Sequence, residues 1–223
     1  MNDSAEQSAV LDYVARREQM VRTQLAGRDI HDPAVLAAMG HVPREAFVLK
    51  SFRAHAYDDA PLPIPANQTI SQPYIVAYMI AALALRPEDR VLEIGAGSGY
   101  AAAVLSRIAG QVYTVERHRK LVDFARERLE KLGYDNVHVR HGDGTRGWRE
   151  HAPYDGIIVA AGGPAVPASL RDQLVVGGRL VMPVGRSRRQ QHLIRVTRTE
   201  DAVYKEEMLV PVAFVPLIGD EGW

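Results

Sequence analysis

Apolar and polar positions change period several times along the 223 residues, and the changes divide the chain. From about Ala5 to Ala26 the apolar positions, Val10, Val14, Val21 and Leu25 among them, recur at helical spacing with charges between, and Gly27 follows as a stop. Asp32-Pro33 supplies an N-cap and a first-turn proline for a second helix reaching Met39. Pro43 breaks that pattern, and a short helix over Arg44 to Phe52 would turn Phe47 inward. Tyr57 to Pro73 holds Pro61, Pro63, Pro65 and Pro73 among the polar Asn67, Gln68, Thr69, Ser71 and Gln72, which predicts an ordered loop with no helix in it. Gln72-Pro73 then opens a helix, apolar on most sides, carrying Tyr74 to Leu85; Ser71, just ahead, stands where a cap would.

Beyond Arg90 the period changes. Val91 to Ile94 is an apolar run with one acid, the pattern of a parallel strand buried on both faces. Three alternate glycines follow (Gly95, Gly97, Gly99), then the alanine-rich run Ala101 to Ala109: strand, tight turn, helix. Strands are predicted again at Gln111 to Glu116, Val137 to His141 and Gly156 to Ala161. An amphipathic helix, Arg119 to Leu132, is closed by Gly133, and Pro167 opens another. Gly177-Gly178 reads as a turn into a fifth strand, Arg179 to Val184, and Gln191 to Thr197 with Val203 to Val215 alternate as an antiparallel pair. The alternation predicts an α/β fold: a doubly wound, mostly parallel, Rossmann-like sheet with antiparallel C-terminal strands and an N-terminal helical cap. One domain is expected, residues 1–85 forming the cap and a substrate loop and 86–223 the α/β core.

Composition narrows the chemistry. Lys plus Arg and Asp plus Glu are 27 each, and the balance argues against a dedicated nucleic-acid binder; Arg186-Ser187-Arg188-Arg189 reads as a solvated hairpin turn. With no cysteine there are no disulfides, thiolate metal sites or cysteine nucleophiles. The N-terminus lacks the basic and apolar regions of a secretory signal, and the twelve residues Tyr74 to Leu85 are too few to span a bilayer, so a cytoplasmic, membrane-free protein is expected. His138-x-x-His141 lacks a third ligand, and no metal is expected. Gly95 to Gly99 reads G-A-G-S-G, which misplaces Ser98 for a hydrolase elbow.

The glycine turn fits a narrower set of ligands. Tyr100 stands where the dinucleotide fingerprint needs a final glycine or alanine, and no lysine follows for a phosphate loop. The remaining pattern, acid-x-G-x-G-x-G, is similar to the first motif of the S-adenosylmethionine-dependent methyltransferases. Glu116 ends the second strand, where an acid can accept both hydroxyls of a ribose, and Asp143, between Gly142 and Gly144, ends the third, where it can accept from an adenine amino group. A donor with a sulfonium and no phosphate suits a groove lined by Glu93, Glu116 and Asp143.

With Gln68-Thr69-Ile70-Ser71-Gln72-Pro73-Tyr74 ahead of that motif, the chain resembles the protein-L-isoaspartate O-methyltransferases. Further stretches carrying the likeness are Met20 to Leu25, Val42 to Val48, Ala56 to Ile64, Asn136 to Gly147, Ala152 to Val159, Gly177 to Gly185 and Phe214 to Gly219. The resemblance implies methyl transfer from S-adenosylmethionine to the free carboxylate of L-isoaspartyl residues in damaged proteins and peptides, by a monomer. It implies Ser71 as the active-site residue, with Thr69, Ile70 and Val215 at the substrate. It also implies a donor site of Glu93, Gly95, Gly97, Ser98, Gly99, Glu116, Arg117, Gly142, Asp143 and Gly144. Family members often have glycines where this chain has Pro65-Ala66-Asn67, and a threonine where it has Ala160 to Gly163. Carboxyl methylation of a dedicated peptide or small acid, and a catalytically silent donor-binding protein, are the competing expectations.

Overall fold

The computed structural model describes residues 3–187 and 190–223, with side chains from residue 12 onward; Arg188 and Arg189 of the basic turn lie outside the described residues. The first helix, α1 (Asp3–Met20), runs directly into a π-helical turn over Val21–Ala26. Gly27 ends it by crowding rather than by handedness: its φ is −70°, and a Cβ there would lie 2.9 Å from the Thr23 carbonyl oxygen. In α2 (Pro33–His41) the Asp32 carboxylate accepts from the Ala34 and Val35 N–H groups, as its cap position predicts. The expected helix over Arg44 to Phe52 is instead two 3-10 segments, Arg44–Ala46 and Lys50–His55, with Phe47 fully buried between them.

The proline-rich stretch is a correction. It folds into an antiparallel hairpin, β1 (Leu62–Ile64) and β2 (Gln68–Ile70), in which Pro63 faces Thr69. A two-stranded edge tolerates prolines because their missing N–H groups point away from the partner. The turn puts Ala66 and Asn67 at φ 60° and 55°, a left-handed conformation that glycine adopts without strain. Helix α3 (Pro73–Leu83) then begins at Gln72, with no side-chain cap, so Ser71 is not its cap.

The main sheet has the order β5-β4-β3-β6-β7-β8-β9. Strands β3 (Arg90–Ile94), β4 (Gln111–Glu116), β5 (Val137–His141), β6 (Tyr154–Val159) and β7 (Leu174–Ser187) pair in parallel. Strands β8 (Gln190–Glu200) and β9 (Val203–Val212) complete an antiparallel meander. Strand β7 is longer than expected: Gly177-Gly178 is an irregularity within it, not a turn ahead of it. Successive residues of the central strands enter opposite cores. Val91, Val112, Ile158 and Val181 face the helices α2, α3, α4 (Tyr100–Ser106) and α5 (Arg119–Lys131), while Leu92, Tyr113, Ile157 and Leu180 face α6 (Ala168–Asp172) and the C-terminal tail. Covering on both faces is why these strands are continuously apolar rather than alternating. The chain leaves β3 towards β5 on one side and returns through β6 on the other, so a switch point opens at the carboxyl ends of β3 and β6.

Candidate active site

A half-open cleft lies at that switch point. Its floor is the glycine turn. Gly97 adopts φ 55°, and a Cβ on it would touch Ile64 Cδ1 at 3.4 Å, so the β1–β2 hairpin rests on the turn that faces the cleft. Gly99 serves packing instead. A Cβ there would press on Ala125 and Leu129 of α5 at 3.3 Å, and Gly99 does not line the cleft.

Two acids close the donor side. Glu116 is buried; its Oε2 accepts from the Gly97 N–H (3.0 Å) and its Oε1 from the His118 N–H (2.8 Å). Each oxygen keeps a second lone pair, enough to accept one further hydroxyl apiece. Glu93 is 1% exposed and takes a hydrogen bond from the Thr114 hydroxyl at 2.5 Å. Loss of water pushes its carboxyl up to about 8; the Thr114 bond opposes this and the Glu116 charge adds to it. Arg117 is the one Lys or Arg among the described lining residues, so the lining suits a ligand with a positive centre and no phosphate. Glu116 and the close backbone of the turn fit the ribose and amino-acid parts of S-adenosylmethionine.

The Asp143 carboxylate is engaged within the chain. Its Oδ1 accepts from the Thr145 N–H (2.9 Å) and hydroxyl (2.8 Å), and its Oδ2 from the Asp220 N–H (2.9 Å), tying the C-terminal tail to the end of β5. Burial works to raise this carboxyl, but the donors from Asp220 and Thr145 prevail and hold it below the usual carboxylate range. Neither Asp143 nor Gly142 lines the cleft, whereas Gly144 does.

The acceptor side is built from two distant segments. Thr69, Ile70 and Ser71, at the end of the hairpin, form one wall, and Phe214 to Ile218 form another. The second wall is held by the stretch after β6. The Gly162 N–H donates to the Val215 carbonyl (2.8 Å), and the Gly162 carbonyl accepts from Leu217 N–H (2.8 Å) and Trp223 Nε1 (2.9 Å). A Cβ on Gly162 would collide with the Gln191 side chain at 2.5 Å, and that side chain in turn brackets Phe214 through both its amide atoms. In the Ala160 to Gly163 departure, Ala160 and Ala161 therefore line the cleft itself, while Gly162 and Gly163 lie behind the acceptor wall.

Of the expected residues, Thr69, Ile70, Ser71, Val215, Glu93, Gly95, Gly97, Ser98, Glu116, Arg117 and Gly144 meet at this cleft. Sequence reasoning missed Val76 and Met79 of α3, Leu121 of α5, and Ile158 of β6. Their apolarity marks them as buried, but only the tertiary fold says which buried residues face a cavity. The two histidines of the H-x-x-H pair have other engagements: His138 Nε2 meets Gln111 Oε1 and His141 Nε2 meets the Arg117 carbonyl. Among the described residues no group of three or more potential metal ligands assembles, and no helix is long and apolar enough to cross a membrane.

A doubly wound sheet whose switch-point cleft joins a glycine turn, a ribose-competent acid and a phosphate-free lining defines an S-adenosylmethionine-dependent methyltransferase. Residues 15–222 match the protein-L-isoaspartate(D-aspartate) O-methyltransferase family, and the chain belongs to that family. It is 65% identical over 208 residues to protein-L-isoaspartate O-methyltransferase 2 of Pelobacter propionicus, covering 93% of this chain and 92% of that one. A Rhodopseudomonas palustris protein-L-isoaspartate O-methyltransferase is 61% identical over 204 residues, covering 92% and 94%. Among solved structures, a protein-L-isoaspartate O-methyltransferase superimposes with a TM-score of 0.84 at 33% identity, over 92% of this chain and 67% of that one. A Plasmodium falciparum protein assigned to the same activity, in complex with S-adenosyl-L-homocysteine, superimposes with a TM-score of 0.77 at 25% identity, over 91% and 98%.

Proposed function

We propose that this methyltransferase moves a methyl group from S-adenosylmethionine to the free carboxylate of L-isoaspartyl residues in damaged proteins and peptides, with Ser71 orienting the acceptor. The observation that carries the residue assignment is the placement of Thr69, Ile70 and Ser71 on a hairpin that rests directly on the donor-side glycine turn. The donor supplies a methyl carbon already activated by its sulfonium. An acceptor carboxylate is ionised at neutral pH, so the chain needs no general base. Its residues have to align the acceptor and exclude water. The Ser71 hydroxyl holds one carboxylate oxygen by a single hydrogen bond, and the Thr69, Ile70 and Val215 wall shields it. Glu116 accepts from the ribose hydroxyls with its free lone pairs, and Gly95, Gly97, Ser98 and Arg117 border the rest of the donor. The turn Gly142 to Gly144, whose shape Asp143 fixes, borders the adenine. The methyl ester then collapses unaided: the neighbouring backbone nitrogen attacks its carbonyl carbon and methanol leaves with the amide proton, giving a succinimide that water can open to normal aspartate.

The division of labour between residues 1–85, as cap and acceptor loop, and 86–223, as donor core, belongs to the same proposal. The test is incorporation of base-labile methyl groups into an isoaspartyl peptide beside its aspartyl twin. Labelling of the first and not the second is expected. Labelling of neither, with the donor still bound, would instead favour a silent binding protein, and labelling of another acid alone a different acceptor.

A further inference from the structure

Arg44 is fully buried, yet no carboxylate pairs with it among the described residues. A guanidinium taken out of water without an ion pair is costly, so what it holds in exchange is informative. Its Nε donates to the Ala56 carbonyl at 2.8 Å and its Nη2 to the Ser71 carbonyl at 2.7 Å. Those two residues bracket the hairpin segment that carries Thr69 and Ser71, so one side chain pins both ends of the acceptor loop. The guanidinium carbon also lies 4.7 Å from the centre of the Tyr100 ring, a cation–π contact. Tyr100 is the first residue of α4, directly after the glycine turn, and it lines the cleft. Arg44 itself does not reach the cleft lining.

We propose that Arg44 is a positioning residue for methyl transfer, setting the spacing between Ser71 on the acceptor side and the glycine turn on the donor side. The proposal rests on the reading of Ser71 given above. The planar fork matters as much as the charge, because two carbonyls and a ring are met from one rigid plane. A lysine offers a single flexible ammonium that cannot span both carbonyls. Transfer between two bound partners is sensitive to misplacement of about 1 Å, which can cost on the order of 10²-fold in rate. Binding of the donor alone, which uses the turn and Glu116, is not.

The experiment compares wild type, Arg44→Lys, Ser71→Ala and the double variant on an isoaspartyl peptide, with S-adenosylmethionine affinity measured separately and rates scaled to the folded fraction. Arg44→Met, similar in length and free of desolvation cost, provides a second substitution less demanding of the fold. In Arg44→Lys and Arg44→Met, kcat is expected to fall roughly 30- to 100-fold while donor Kd stays within about 3-fold. Because Arg44 acts through Ser71, Arg44→Lys should add less than about 3-fold in the Ser71→Ala background. Unchanged kcat per folded molecule, or losses that multiply fully in the double variant, overturns the proposal. Failure of the wild type to label the peptide overturns the functional reading instead, so the two failures are distinguishable.

Discussion

Glu93 is a carboxyl that folding removes wholly from water, and Glu93→Gln isolates the consequence. Desolvation is the largest influence on it, the Glu116 charge works in the same direction, and the Thr114 hydroxyl only partly compensates, so the carboxyl rises from 4.5 to about 8. The native state thus keeps a proton over a range in which the unfolded chain has lost it. Stability from the protonated Glu93 is complete below the unfolded value of 4.5 and is lost as pH rises through about 8. Each intervening unit is worth ~1.4 kcal/mol, so between pH 5.5 and 7.5 the wild type should lose roughly 2–3 kcal/mol that the variant does not. Glutamine preserves the shape and can still accept from Thr114. Urea unfolding of both proteins at pH 5.5, 6.5 and 7.5, without donor, should show the variant gaining ~1.4 kcal/mol per unit relative to wild type. A difference that stays constant across the range would show that Glu93 is ionised in the native protein as well, and the reasoning would fail.

Ser71→Ala should lower kcat on an isoaspartyl peptide by roughly 10- to 100-fold and leave S-adenosylmethionine affinity within about 2-fold; equal loss of both would assign the hydroxyl a structural role. Ala66→Gly relieves a φ of 60° and should stabilise the protein by about 0.5–1 kcal/mol, raising Tm by roughly 1–4 °C; a lower Tm would contradict strain at this turn. Gly144→Ala would place a Cβ 2.3 Å from Ile94 Cγ2 and should cost about 1–3 kcal/mol. Adding Ile94→Ala should remove most of the collision's share of that loss, and thermal melts that show no such recovery would locate the defect elsewhere.

Much of the fold is legible without coordinates because its signals are local. The βα alternation, the Asp32 cap, the glycine turn and the acid ending β4 each depend on residues a few positions apart. The hairpin at Leu62 to Ile70 was not legible in this way: four nearby prolines argue for a loop, and only the pairing of Pro63 with Thr69 shows that the missing N–H groups go unneeded.

The contacts that the sequence did not reveal are those between remote residues. Asp143 stands at a strand end like a ligand-binding acid, and its carboxylate also reaches the Asp220 N–H, 77 residues away. Arg44 follows Pro43 with no partner nearby in sequence; Ala56, Ser71 and Tyr100 converge on it only when the cap packs over the sheet. By itself, then, the sequence determined the main sheet and the glycine turn, because periodicity and backbone preference act over single elements; the acceptor role of Thr69 to Ser71 was implied by the family resemblance alone. Tertiary structure alone decided which buried residues face the cleft and which side chains bridge distant segments of the chain. Burial and long-range hydrogen bonds set those outcomes, and both exist only once the elements are packed.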